Sequence, residues 1–149
     1  QCAVIEFARN VCKMQGANST EFNSKTKYPV IDLMESQRAI KIKGGTMRLG
    51  AYDCEIKAGT KAYSAYKRKK ISERHRHRYE VNNRYKKTLQ KNGLVFSGIN
   101  HELRVIETIE VKNHPWFIAS QFHPELKSRI NKAHPLFREF IKAAVKNSL

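Results

Sequence analysis

Gln121-Phe122-His123-Pro124-Glu125 sets an imidazole and a carboxylate two residues apart, with a proline stiffening the step between them. A histidine of ordinary pKa, about 6.5, accepts a proton near neutral pH, and a neighbouring carboxylate holds its tautomer and stabilises the imidazolium. The pair therefore reads as a general base, His123, oriented by Glu125. The same two residues also suit a plain structural hydrogen bond, so their place in the fold matters. A buried strand read over Trp116–Gln121 ends just before them, and the open ends of strands in α/β sheets are where ligand clefts form. Two further histidines, His75 and His77, share one face of an extended stretch, but the rest of a metal shell is missing from the local pattern and no metal site is assigned. His114 and His134 each precede a proline and read as turn or cap residues.

The elements that must position these groups alternate between helix and strand. Ala3, Val4, Ile5, Phe7, Ala8, Val11, Cys12 and Met14 recur at helical spacing, predicting a largely buried helix over 2–14 that opens at Gln1 without N-cap chemistry. Asn18-Ser19-Thr20-Glu21 reads as a polar loop and Pro29–Met34 as a short strand. Gly44 and Gly45 turn the chain before a hairpin through Met47 to Ile56. Tyr63–Lys70 reads as an exposed helix, and Arg74–Tyr79 alternates strictly, which on a strand puts Arg74, Arg76 and Arg78 on one face. Asn83–Lys91 is a helix closed by Gly93, strands follow at Leu94–Ser97 and Leu103–Val111, and Pro135–Lys146 ends the chain as an amphipathic helix. Such alternation predicts an α/β layered domain with a central mixed β-sheet flanked by helices.

Composition bounds the class. The chain has 149 residues, 40% hydrophobic and 28% charged, enough for one domain with a real core. No apolar run approaches the ~20 residues that cross a bilayer and the start does not resemble a signal peptide, so no membrane partner and a cytoplasmic setting are expected. Cys2, Cys12 and Cys54 fit no C-x-x-C spacing and read as reduced structural thiols. The net charge of +16 is the footprint of a nucleic-acid binder, yet the lysines are scattered, without interleaved aromatics or an RNA-binding module pattern. They read as solvated surface, which argues against nucleic acid as the main partner.

At this point the chain resembles the glutamine amidotransferase domain of the CTP synthase family, within the class I (triad-type) amidotransferases. The resemblance runs through Ala17-Asn18-Ser19-Thr20-Glu21-Phe22, Gly44-Gly45-Thr46-Met47-Arg48-Leu49-Gly50, Glu73–Asn82, Asn113-His114-Pro115-Trp116-Phe117 and Gln121–Glu125. The H-P-E step is common to class I amidotransferases; the E-R-H-R-H-R-Y-E-V-N and G-T-M-R-L-G blocks are particular to CTP synthases.

The resemblance implies a class I amidotransferase-like fold whose nucleophile elbow, G-x-C-L-G-M-Q, ends at Gln1. The nucleophilic cysteine and the rest of the N-terminal part of the domain are then missing, and residues 1–149 form its C-terminal portion. It further implies His123 as general base, Glu125 as its orienting carboxylate, Arg78 on the α-carboxylate of L-glutamine, Glu21 near its α-ammonium group and Gln1 in the glutamine-binding stretch. By the same register Cys2 sits about five residues past the nucleophile, roughly 7 Å along a helix, and is read as helix packing. Partners implied are the N-terminal synthase domain and a homotetramer; ATP and magnesium belong to that domain, with GTP as allosteric activator. No cofactor is assigned to residues 1–149, which by themselves are expected to be inactive. The rival readings are a non-catalytic regulatory pseudo-amidotransferase and a basic RNA-associated module.

Overall fold

The computed structural model describes residues 1–33 and 47–148. Gly44, Gly45 and Met34, which the sequence reading used for a turn and a strand end, lie outside the described residues. The chain divides into two compact units, one of residues 1–48 and 77–94, the other of residues 49–76 and 95–149.

In the first unit, α1 (Cys2–Asn10) buries Val4, Ile5, Phe7 and Ala8. The helix stops four residues short of the predicted end because Lys13 takes a left-handed φ of 58°, and Val11 is left exposed. Cys2 lies on the exposed face of α1, so the packing role read for it is not what the fold gives it. Gln1 stands at the N-cap position but makes no side-chain cap bond there. The polar stretch after α1 contributes a two-residue strand, β1 (Asn18–Ser19), which pairs in parallel with β2 (Pro29–Leu33); β2 in turn pairs antiparallel with β5 (Tyr79–Val81). This small sheet is mixed, one pair parallel and one antiparallel. Residues 83–91 are helical in two pieces, a 3-10 turn at Asn83–Tyr85, whose Asn82 side chain accepts from Arg84 N–H, and α3 (Lys86–Lys91). Gly93 closes it at φ 99°.

The second unit is built on a five-stranded sheet in the order β4-β3-β6-β7-β8. Residues 48–56, predicted as a hairpin, run as one strand, β3 (Arg48–Ile56); Gly50 accommodates a φ of 93° within it. Next comes α2 (Lys61–Tyr66), earlier and shorter than predicted. Thr60 caps it from outside, and the Glu110 carboxylate accepts from Lys61 and Ala62 N–H at 3.0 and 2.8 Å. A left-handed Lys67 ends the helix, and Lys67–Lys70 face solvent while Ala62 and Ala65 are buried. The helix is thus half-buried rather than wholly exposed. β4 (Lys70–His77) follows, then β6 (Leu94–Asn100) and β7 (Val105–Val111), joined by a turn at 101–104.

β8 (Ile118–Ser120) is half-buried throughout and occupies the sheet edge, which corrects the more buried strand read at Trp116–Gln121. The buried strand is its partner β7, whose Val105–Glu110 are all buried. Finally α4 (Pro135–Ser148) carries the expected apolar stripe, but only Leu136 is buried; Phe137, Phe140, Ile141 and Val145 are exposed. Among the described residues no helix is long and apolar enough to cross a membrane.

One glycine reports directly on the packing of this sheet. A Cβ on Gly98 would meet Thr108 Oγ1, lie 2.7 Å from Cys54 Sγ and 3.2 Å from Ile56 Cδ1. Thr108 Oγ1 is also hydrogen-bonded to Ser97 Oγ at 2.9 Å, so it cannot retreat without losing that bond. Gly98→Ala is expected to destabilise the protein by roughly 1–3 kcal/mol, the ordinary scale of overpacking. Thermal unfolding would show this as a drop of several degrees; an unchanged midpoint would mean the sheet relaxes freely here.

Candidate functional site

His123 and Glu125 lie just beyond β8, where the chain leaves the sheet edge and turns into a short 3-10 helix, Pro124–Lys127. Proline starts that helix without penalty, having no amide hydrogen to satisfy. His123 Nδ1 sits 2.7 Å from Glu125 Oε1. Because an ionised carboxylate can only accept, Nδ1 carries the hydrogen, and Nε2 is the nitrogen with the lone pair. Burial is the largest single influence on Glu125 and pushes its pKa up. The hydrogen bonds from its own backbone amide and from His123, with the charge of His123 and His134, outweigh it and leave the net shift downward. Glu125 therefore stays ionised well below neutral pH, and its contribution to the pair is lost only as pH falls through that depressed value. Both side chains are open to solvent, 38% and 58% exposed, so a substrate can reach them.

The backbone under this pair is fixed from β4 and β7. His123 N–H donates to Arg74 C=O at 2.9 Å, and Gln121 N–H donates to Glu107 C=O at 2.8 Å. Phe122, buried between them in sequence, packs with Ala65 and Leu136. The pair is thus presented from a well-anchored turn.

Gln1, Glu21 and Arg78 belong to the first unit. Gln1 Nε2 donates to Glu21 Oε2 at 2.7 Å. Glu21 in turn is held at its amide by Ser19 Oγ at 3.1 Å. Arg78 is not on the strand face with Arg74 and Arg76, because β4 ends at His77; it occupies the bend between β4 and β5 and is half-buried. Its neighbours on both sides are tied down. Arg48 Nη1 reaches Glu80 Oε1 at 2.8 Å and His77 Nε2 lies 2.7 Å from the same oxygen, with Arg48 and Glu80 almost fully buried. Of the five predicted site residues, the fold brings together Gln1 with Glu21 in one unit and His123 with Glu125 in the other.

Sequence reasoning missed the buried polar partners. Glu73 is 2% exposed and accepts from Tyr66 OH at 3.0 Å and from His134 Nε2 at 3.1 Å. His134 does act as the turn residue expected, Nδ1 accepting from Leu136 N–H at 3.3 Å, just as His114 Nδ1 accepts from Trp116 N–H at 3.1 Å. Its other nitrogen was overlooked. Burial first, then the negative Glu73, pushes the Tyr66 phenol well above its usual range, so it remains a donor. The alternation read for residues 74–79 carries the signal one step further: if Arg74 and Arg76 face water, Glu73 and His75 face inward and must find partners. His75 is flanked by the edges of Tyr52 and Phe122 and faces Glu107 at 3.6 Å. Among the described residues no group of three or more His, Cys, Asp or Glu side chains is arranged to hold a metal ion.

Comparison with known proteins gives concordant matches. The family model for glutamine amidotransferase class-I matches residues 1–143. The CTP synthase of Pelodictyon phaeoclathratiforme is 60% identical over 144 residues, which are 97% of this chain and 26% of that protein. The CTP synthase of Caldanaerobacter subterraneus subsp. tengcongensis is 60% identical over 143 residues, 96% of this chain and 27% of that protein. The chain therefore spans about a quarter of the length of these relatives. Among solved structures, the glutaminase domain of Trypanosoma brucei CTPS with bound acivicin superposes with a TM-score of 0.90 at 38% identity, covering 98% of this chain and 57% of that one. That likeness bears out the α/β, class I amidotransferase-like fold expected from the sequence.

Proposed function

The chain belongs to the class-I glutamine amidotransferase family, and from that membership we propose that it is part of the glutaminase domain of a CTP-forming enzyme, hydrolysing L-glutamine to supply ammonia for the ATP-dependent conversion of UTP to CTP. The observation that carries the catalytic assignment is the 2.7 Å contact between His123 Nδ1 and Glu125. It leaves Nε2 to take the proton of a thiol. In this reading the cysteine of the family's elbow, which precedes Gln1 in the family pattern, attacks the side-chain amide carbon of glutamine. His123 accepts the thiol proton and returns it to the departing ammonia; a water molecule, activated by the same nitrogen, then cleaves the thioester to glutamate. Glu125 keeps the imidazole in the required tautomer and stabilises its charged form.

Recognition of a zwitterionic amino acid needs one cation and one anion. We assign Arg78 to the α-carboxylate, where a planar guanidinium can pair bidentately, and Glu21 to the α-ammonium group. Gln1 steadies Glu21 through its amide. The bends and buried pair around Arg78 favour a fixed guanidinium over a floppy surface one. UTP, ATP and magnesium we assign to a synthase domain that this chain does not include, with GTP as activator, a homotetrameric assembly and a cytoplasmic setting. The identity to CTP synthases favours this enzyme over a pseudo-amidotransferase or an RNA-associated module. The lysines read as surface are indeed exposed at Lys67, Lys69, Lys70, Lys87 and Lys127.

The test uses the full-length enzyme with UTP, ATP and magnesium, fed either glutamine or ammonium. Acivicin, the compound bound in the Trypanosoma brucei glutaminase domain, is expected to abolish glutamine-driven CTP formation and spare ammonium-driven formation. Equal inhibition of both, or no CTP from glutamine at all, would contradict the proposal.

A further inference from the structure

The inward face of β4 holds two side chains that the glutaminase chemistry leaves unexplained, Glu73 and His75, and they stand on either side of Arg74, whose carbonyl holds His123 N–H. Each reaches a different end of the turn that carries the catalytic pair. At one end the His75 ring meets the edge of Phe122, the residue before His123, with centroids 5.9 Å apart. At the other, Lys127, the last residue of the 3-10 helix, lies 3.7 Å from Glu73 Oε2 and donates to Ser72 C=O. Glu73 also grips His134, whose own N–H donates to Ser128 Oγ at 3.1 Å, so the chain leaving the turn is held as well. Tyr66 completes the set from α2.

We propose that Glu73 is a positioning residue for His123: a buried carboxylate that clamps the 123–128 turn to β4, with His75 steadying the opposite end. The inference rests on the assignment of His123 as general base. A carboxylate suits the post because Oε1 accepts from both Tyr66 and His134 while Oε2 turns its charge toward Lys127 3.7 Å away, whereas an amide at the same place would lose that charge and set an NH2 group against the lysine. The turn would then rest on Arg74 C=O, the Lys127 bond to Ser72 C=O and Phe122 packing, without the charge that draws Lys127 inward. A misplacement of about 1 Å at a reacting group can cost a hundredfold in rate, so even partial loosening is legible in turnover.

The experiment compares Glu73→Gln, Lys127→Met and His123→Ala in the full-length enzyme, measuring CTP formation from glutamine and from ammonium. Glu73→Gln is expected to lower kcat with glutamine by about tenfold, to leave the glutamine KM within about twofold and to leave ammonium-driven synthesis unchanged. Lys127→Met removes the exposed half of the clamp, the cation facing Glu73 Oε2, and should show the same split at about threefold. That variant keeps the idea testable if Glu73→Gln does not fold. The clamp is overturned if both variants turn over glutamine at the normal rate, if KM rises while kcat holds, or if ammonium-driven synthesis falls in step. His123→Ala separates the two levels: if it is inactive with glutamine while the clamp variants are normal, only the positioning role fails. Were His123→Ala itself to hydrolyse glutamine normally, the base assignment beneath it fails.

Discussion

His123→Ala in the full-length enzyme is expected to slow glutamine-driven CTP formation by at least ~100-fold, because on the assignment proposed above it removes the group that both activates the thiol and protonates the leaving ammonia. Ammonium-driven formation should be unaffected, since ammonia supplied from solution bypasses that step. Glu125→Gln should be milder: the amide keeps the shape and a contact with Nδ1 but loses the charge that selects the tautomer. Its depressed pKa means the wild-type carboxylate is ionised across the neutral range, so the difference between the wild type and Glu125→Gln is one of charge rather than of fit. Members of such a unit are strongly non-additive, and adding Glu125→Gln to His123→Ala should cost little more. Kinetics of the two single variants and the double decide this. Independent, multiplicative losses would show that the 2.7 Å contact is structural and that the two residues act apart.

The second large effect is expected at Arg78. Arg78→Ala should weaken glutamine use by roughly 2–4 kcal/mol, the scale of a lost charge-assisted carboxylate pair, while sparing synthesis from ammonium. That corresponds to a fall in kcat/KM for glutamine of about 30- to 700-fold. Arg78 sits between His77 and Tyr79, next to the buried Arg48–Glu80 pair, so the alternative outcome is specific. If the guanidinium instead braces that cluster, thermal stability and ammonium-driven activity would fall together with the glutamine reaction. Breaking a buried charged cluster costs ~3–5 kcal/mol, enough to see by unfolding.

What could be read from the sequence follows the physics of each segment. Local pattern found α1, α3, α4 and the shared face of Arg74 and Arg76 on β4, because burial on one face leaves a mark at fixed spacing. It misplaced ends where single residues decide: Lys13 and Lys67 take left-handed φ angles that nothing about lysine foretells. The span 47–56 was read as a hairpin following Gly44 and Gly45, yet residues 48–56 run as one strand in which Gly50 takes a φ of 93°. Burial was misjudged at Ile118–Ser120 because an edge strand and a central one can have equally apolar sequences. At the site, short-range pairs were legible: His123 with Glu125 is two residues apart. The contact of Gln1 with Glu21 spans 20 positions and that of Glu73 with His134 spans 61, and no local pattern encodes either. Glu73 was quoted as part of a block, but its work depends on where Tyr66, Lys127 and His134 come to lie.

The claim on which the rest depends is that the amide nitrogen of glutamine becomes the exocyclic amine of CTP through hydrolysis in this domain. Glutamine labelled with nitrogen-15 at its amide, supplied to the full-length enzyme with UTP, ATP and magnesium, tests it in one measurement. The expected result is labelled CTP and glutamate formed in equal amounts, with the label lost from CTP when His123 is replaced by alanine, even while added unlabelled ammonium still yields CTP. Glutamate released without label reaching CTP, or labelled CTP made at the normal rate by the His123→Ala enzyme, would contradict it.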